Sequence, residues 1–231
     1  MNRSIKFAVL LAGSLAIGCA GPRSEPASLL TASALELTLD DLRAKSESIR
    51  SFHIEGTLLL EWETQKHFVH YVSYYEHPDR FRIDCTVGGP LGLGSGTLHY
   101  VEKDGWGEIT LPDEPPVSGP VGGKELRAVA TGGLSLHDAR YGLSPYAGGD
   151  ALFRAERVKA HGIDAASGRY RLTLTRDDGL EEIVLVDPDP VSLAERRVAK
   201  RDGTVLAVTR YEYKEAGDLF ASETESRFPQ Q

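Results

Sequence analysis

The sequence predicts a mainly β chain: a single antiparallel sheet of about eleven strands, curled into an unclosed half-barrel, with a leading helix and a short helical insertion covering it. Three observations predict this. Nearly everything after residue 50 alternates apolar and polar with period two. Turn pairs such as Asp104-Gly105, Asp177-Asp178-Gly179 and Asp202-Gly203 break that pattern at strand-length intervals. No strand–helix–strand spacing occurs, which excludes a parallel sheet.

The N-terminus comes first. "MNRSIKF" is a short basic start and "AVLLAGSLAIG" an apolar run too short to span a bilayer. Together they read as a secretory signal peptide over residues 1–18. "LAIGC" resembles a lipobox, the site at which Cys19 is acylated and becomes the new N-terminus. Residues 19–37 then form a flexible tether and residues 38–231 the half-barrel domain. Losing Arg3 and Lys6 takes the formal charge from −8 to −10. So acidic a chain repels nucleic acid and anionic head groups, and the lipid, not a basic patch, is the membrane anchor. Ala20 follows the cysteine with no aspartate there to retain the protein at the inner membrane, so the expected location is the outer membrane, facing the periplasm. With Cys19 acylated, Cys85 has no disulfide partner, and its place in "FRIDCTV" reads as a small buried apolar position.

"TLDDLRAKSESIRSF" predicts one amphipathic helix, with Thr38 as N-cap and Asp40 and Asp41 in its first turn. Strands follow: "FHIEGTLLLEW", "KHFVHYVSYYE", "DRFRIDCTV", "GTLHYVEK" and "WGEITL". "PDEPPVSGPVGG" reads as a loop and "KELRAVATGGLSLHDARYGLSPYAGG" as two short helices. The strands resume with "ALFRAERVKAH" and run to "DLFASETESRF". Charged residues such as Arg154, Glu156, Arg169, Arg171, Glu195 and Arg197 take the outer face. The inner face encloses either a packed core or a ligand cavity, and the alternation is compatible with both.

Catalytic and cofactor signatures fail one by one. "TVGGPLGLGSG" (86–96) has no lysine and no following helix, so it is no phosphate cradle. "GPVGGKE" puts Glu125 where a magnesium-binding hydroxyl belongs, and Ser95 is not in a nucleophile elbow. His67 and His70 have opposite parity along a strand and cannot share a metal. The pairs Asp177-Asp178 and Glu181-Glu182 read as a solvated hairpin end. The expectation is a non-enzymatic chain with no metal or cofactor.

One run carries a resemblance: "SIRSFHIEGTLLLEW", then "HPDRFRIDCTVGGPLGLGSGTLHYVEKDGW". A helix leads into a strand containing Gly56. The strand Asp79-Arg80-Phe81-Arg82-Ile83 then ends in the loop Pro90-Leu91-Gly92. This resembles the lipoprotein-localisation family of the periplasmic carrier LolA and the outer-membrane receptor LolB, most closely the receptor branch, clearly over residues 40–110. The resemblance implies an eleven-stranded half-barrel with a helical lid, holding acyl chains in a cavity expected to include Leu58, Leu60, Trp62, Phe81, Ile83, Leu98 and Trp106. It implies a monomeric receptor that takes lipoproteins from a LolA-like carrier. It also implies a protruding leucine, Leu91, that helps insert them into the bilayer. Here Leu93 adds a second leucine to that membrane-insertion loop (Pro90, Leu91, Gly92, Leu93). The alternatives are an envelope lipid or glycolipid transporter on the same fold, and a structural lipoprotein whose sheet is filled by its own side chains.

Overall fold

The computed structural model describes residues 28–62, 65–87, 96–121, 123, 126, 140–141, 144–148, 152–215, 218–221 and 223–227. Within them the chain is mainly β with one long helix, α1 (Ala32–Ser48). The helix starts earlier than its sequence suggests. Thr31 is the N-cap, its Oγ1 accepting from Ala34 N–H at 3.2 Å. Thr38 is buried two turns further in, where its Oγ1 donates to the Ala34 carbonyl at 2.7 Å. Leu39 and Leu42 form the buried face of the helix.

Six strands follow the helix: β1 (Ser51–Trp62), β2 (Gln65–Glu76), β3 (Arg80–Val87), β4 (Gly96–Lys103), β5 (Trp106–Thr110) and β6 (Val117–Pro120). They pair in chain order as one antiparallel sheet. Six more make a second sheet, also in chain order: β7 (Val158–Ile163), β8 (Tyr170–Thr175), β9 (Glu181–Pro188), β10 (Val191–Ala199), β11 (Val205–Glu212) and β12 (Glu223–Arg227). The single eleven-stranded sheet expected from sequence is therefore two six-stranded sheets among the described residues. The ladder breaks between β6 and β7, where the insertion interrupts the chain.

The extra strand is β6, inside the stretch read as a proline-rich loop. Its one proline, Pro120, is tolerated because it is the last residue of a strand that pairs on one side only, with Gly119 opposite Gly107 of β5. The strand read from residue 151 begins only at Val158. Before it Phe153 turns into the core and Ala155–Arg157 make a 3-10 turn. The turn signals hold: Asp104 and Gly105 both take positive φ, 53° and 75°, between β4 and β5, and Gly179 and Gly203 do so in the later hairpins.

One core joins both sheets and the helix. Leu39 and Leu42 of α1 pack in the same cluster as Phe81, Ile83, Leu98, Tyr100 and Ile109 of the first sheet and Leu172, Leu174, Val184, Val186 and Leu193 of the second. Leu126, Tyr146 and Phe153, from the segment between the sheets, complete it.

Candidate functional site

The space enclosed by the two sheets is the candidate site. Period-two alternation aims Phe81 and Ile83 of β3 and Leu98 of β4 inward, where all three are buried together. Trp106 is not with them. On β5 the inward positions are Gly107 and Ile109, so Trp106 faces the opposite side and is 55 % exposed. Its parity removes it from the expected cavity. On β1, Leu58, Leu60 and Trp62 stand opposite Val69, His67 and Gln65 in the register, but their side chains lie outside the described residues. So do Pro90, Leu91, Gly92 and Leu93, between β3 and β4, and Cys19.

Among the described residues the interior is filled by the chain itself. Tyr146 is part of that filling, fully buried and held by polar bonds as well as packing. Ser46 Oγ donates to its carbonyl at 2.5 Å, and its hydroxyl accepts from Leu193 N–H at 3.0 Å. Lys45, which donates to the Val191 carbonyl, lies 5.5 Å from the Tyr146 ring centroid. Phe153 and Leu126 fill the adjoining space.

One end of the interior is polar, which the sequence did not announce. Glu102 of β4 and Glu182 of β9 both point inward and are buried. Arg140 Nη1 donates to Glu102 Oε1 at 3.4 Å, and Tyr100 OH donates to Glu102 Oε2 at 3.2 Å. Arg196 of β10 pairs with Glu182, which Arg176 also reaches at 3.4 Å. Burial works against both arginine charges. For Arg140 the neighbours Tyr141 and Glu102 outweigh it, and for Arg196 Glu182 does, so both groups stay above arginine's ordinary range.

Glu182 corrects the reading of Glu181-Glu182 as a solvated pair: Glu181 meets Lys159, while Glu182 turns into the core. A register shift between Leu193 and Glu195 reorders β10, so that Arg196 sits opposite Val184 of the inner face while Glu195 sits opposite Arg210. Glu195 accepts there from Arg197 and Arg210. Cys85 is a partly buried thiol, pushed up to about 11 chiefly by burial and then by the Asp84 charge. No group of three or more metal-ligating side chains occurs among the described residues, and no described helix is long and apolar enough to cross a membrane.

Comparison with solved structures bears on the fold alone. A DUF1329 family protein from Desulfovibrio piger matches at TM-score 0.54 and 11% identity, covering 85% of this chain and 87% of that one. A domain named for outer-membrane lipoprotein sorting, from Vibrio parahaemolyticus, matches at TM-score 0.51 and 13% identity, covering 84% and 91%. A LolA superfamily protein from Nitrosomonas europaea aligns at TM-score 0.49 and 13% identity, over 84% and 86%. No protein-family model matches the sequence, and no curated protein does. At such identities the likeness is one of fold.

Proposed function

We propose that this chain is a non-enzymatic envelope lipoprotein that binds the acyl chains of lipoproteins between its two sheets and passes them to the outer membrane. One observation carries the reading. Phe81, Ile83 and Leu98, expected from sequence to line a cavity, meet inward-facing residues of the second sheet in a single apolar interior that the chain's own side chains fill, so that a guest enters as the two sheets part. A lipoprotein-sorting domain is among the structures sharing this fold. Acyl chains are insoluble in the periplasm, and burial in such an interior is worth about 0.8 kcal/mol per CH₂. Transfer then needs differences in burial along the route and no bond-making chemistry.

In this reading Cys19 is acylated and anchors the protein to the outer membrane, facing the periplasm. A LolA-like carrier delivers the cargo, the Pro90–Leu91–Gly92–Leu93 loop meets the bilayer, and the protein acts as a monomer. A transporter of envelope lipids or glycolipids on the same fold is the second reading.

Site-specific photo-crosslinking in the native envelope tests the first. A crosslink to a LolA-like carrier, with lipoprotein acyl chains in the mass spectrum of the purified protein, is the expected result. Co-purified phospholipid or glycolipid without a carrier crosslink selects the second.

A further inference from the structure

Five buried side chains form one continuous line across the interior. Glu102 of the first sheet pairs with Arg140, whose Nη2 donates to Tyr141 OH at 3.0 Å and whose guanidinium carbon lies 4.9 Å from the Tyr141 ring centroid. On that same ring sits Arg196 of the second sheet, at 3.3 Å, and Arg196 pairs with Glu182. None of the five is more than 7 % exposed. Room for the line is built into the backbone. A Cβ at Gly148, where φ is +67°, would come within 3.1 Å of the Arg140 guanidinium. Arg196 Nη1 also reaches the Pro145 carbonyl at 3.4 Å, tying the segment that carries Tyr146 to the same cluster.

We propose that Glu102, Arg140, Tyr141, Arg196 and Glu182 form a clasp that holds the two sheets together across the interior and releases when the sheets part to admit an apolar guest. The guest rests on the function proposed above; the clasp itself does not. Buried ion pairs suit the task. Their mutual attraction is nearly offset by the hydration they forgo, so they contribute little net stability while specifying one arrangement. When the sheets separate, the charged groups regain water, whereas an apolar seam regains nothing. The Tyr141 ring is the link between the two ion pairs, since each arginine stacks on it and each carboxylate belongs to a different sheet.

The test uses the full chain with Cys19→Ala and Cys85→Ala and spin labels at Lys103→Cys, at the end of β4, and Arg201→Cys, in the turn between β10 and β11, both exposed. The distance between the labels is measured with and without palmitate. In Tyr141→Ala the distribution should broaden toward longer distances, and the rate of palmitate uptake should rise about tenfold. The paired variant Glu102→Leu with Arg140→Met, which replaces charge by apolar contact, should narrow the distribution and slow uptake by a similar factor. An unchanged distance in both variants overturns the clasp. Altered distances with no palmitate bound by any variant uphold the clasp and discard the acyl-chain reading. Should Tyr141→Ala fail to fold, the paired variant decides alone, and a distribution as broad as that of the parent overturns the proposal.

Discussion

Tyr71 lays its ring over Gly56. The two stand directly opposite each other in the β1–β2 register, and a Cβ built at Gly56 would fall 2.7 Å from the Tyr71 hydroxyl oxygen and 2.8 Å from its Cε1 and Cζ. The glycine that contributed to the family resemblance is thus the floor on which a half-buried aromatic side chain rests. Gly56→Ala should displace the ring and cost about 1–3 kcal/mol in urea denaturation. In a Tyr71→Ala background the same change should cost less than about 0.5 kcal/mol, and the difference between the two is the measured coupling.

The Arg196–Glu182 pair makes an asymmetric prediction. Glu182→Leu alone leaves the buried Arg196 charge without its carboxylate and should cost about 3–5 kcal/mol. Glu182→Leu combined with Arg196→Met should restore stability to within about 1 kcal/mol of the parent. Urea midpoints followed by far-ultraviolet circular dichroism distinguish the two cases.

Cys85 should be slow to react. Burial, the main cause, raises its thiol from 9.0 to about 11, so the folded state holds the proton more tightly than the unfolded chain. The stability this contributes is complete below pH 9.0 and is lost as pH rises toward about 11. At pH 8 a disulfide reagent should label Cys85 promptly in urea and slowly in buffer. Equal rates would contradict its environment.

Trp106 should be dispensable to the core. It faces away from Ile109 and is one of only two tryptophans, so Trp106→Ser should shift stability by no more than about 0.5 kcal/mol. Urea denaturation followed by far-ultraviolet circular dichroism checks it.

On the proposed receptor role, Leu91→Glu with Leu93→Glu should leave cargo binding intact and abolish insertion into liposomes. An exposed leucine gains about 1.5–3 kcal/mol on entering an apolar phase. Unimpaired insertion would show that the loop does not engage the membrane.

Much of the architecture follows from local rules that need no partner. Alternation along "FRIDCTV" and "GTLHYVEK" puts Phe81, Ile83 and Leu98 on the apolar face of their strands, and all three are buried, because side-chain parity on a strand is a property of the chain itself. Asp104-Gly105 correctly marks a turn, because left-handed backbone favours those residue types. Trp106, which the resemblance puts in the cavity, lies outside it because its parity is opposite to that of Ile109.

Other features depend on what arrives from elsewhere in the chain. β6 exists because β5 offers it an edge to pair with, which a proline-rich sequence does not reveal. Arg196 faces inward because a register shift against β9 changes the strand's phase, and no local pattern encodes that shift. Glu102 and Glu182 are buried because Arg140, Arg176 and Arg196 meet them there, from positions distant in sequence. The sequence by itself determined the antiparallel strands, their turns and most of the inward face, since those rest on dihedral preference and period-two alternation. Only the tertiary structure decided that the strands form two sheets, and that a line of paired charges joins them, since a buried charge is tolerated only where its partner is brought to it.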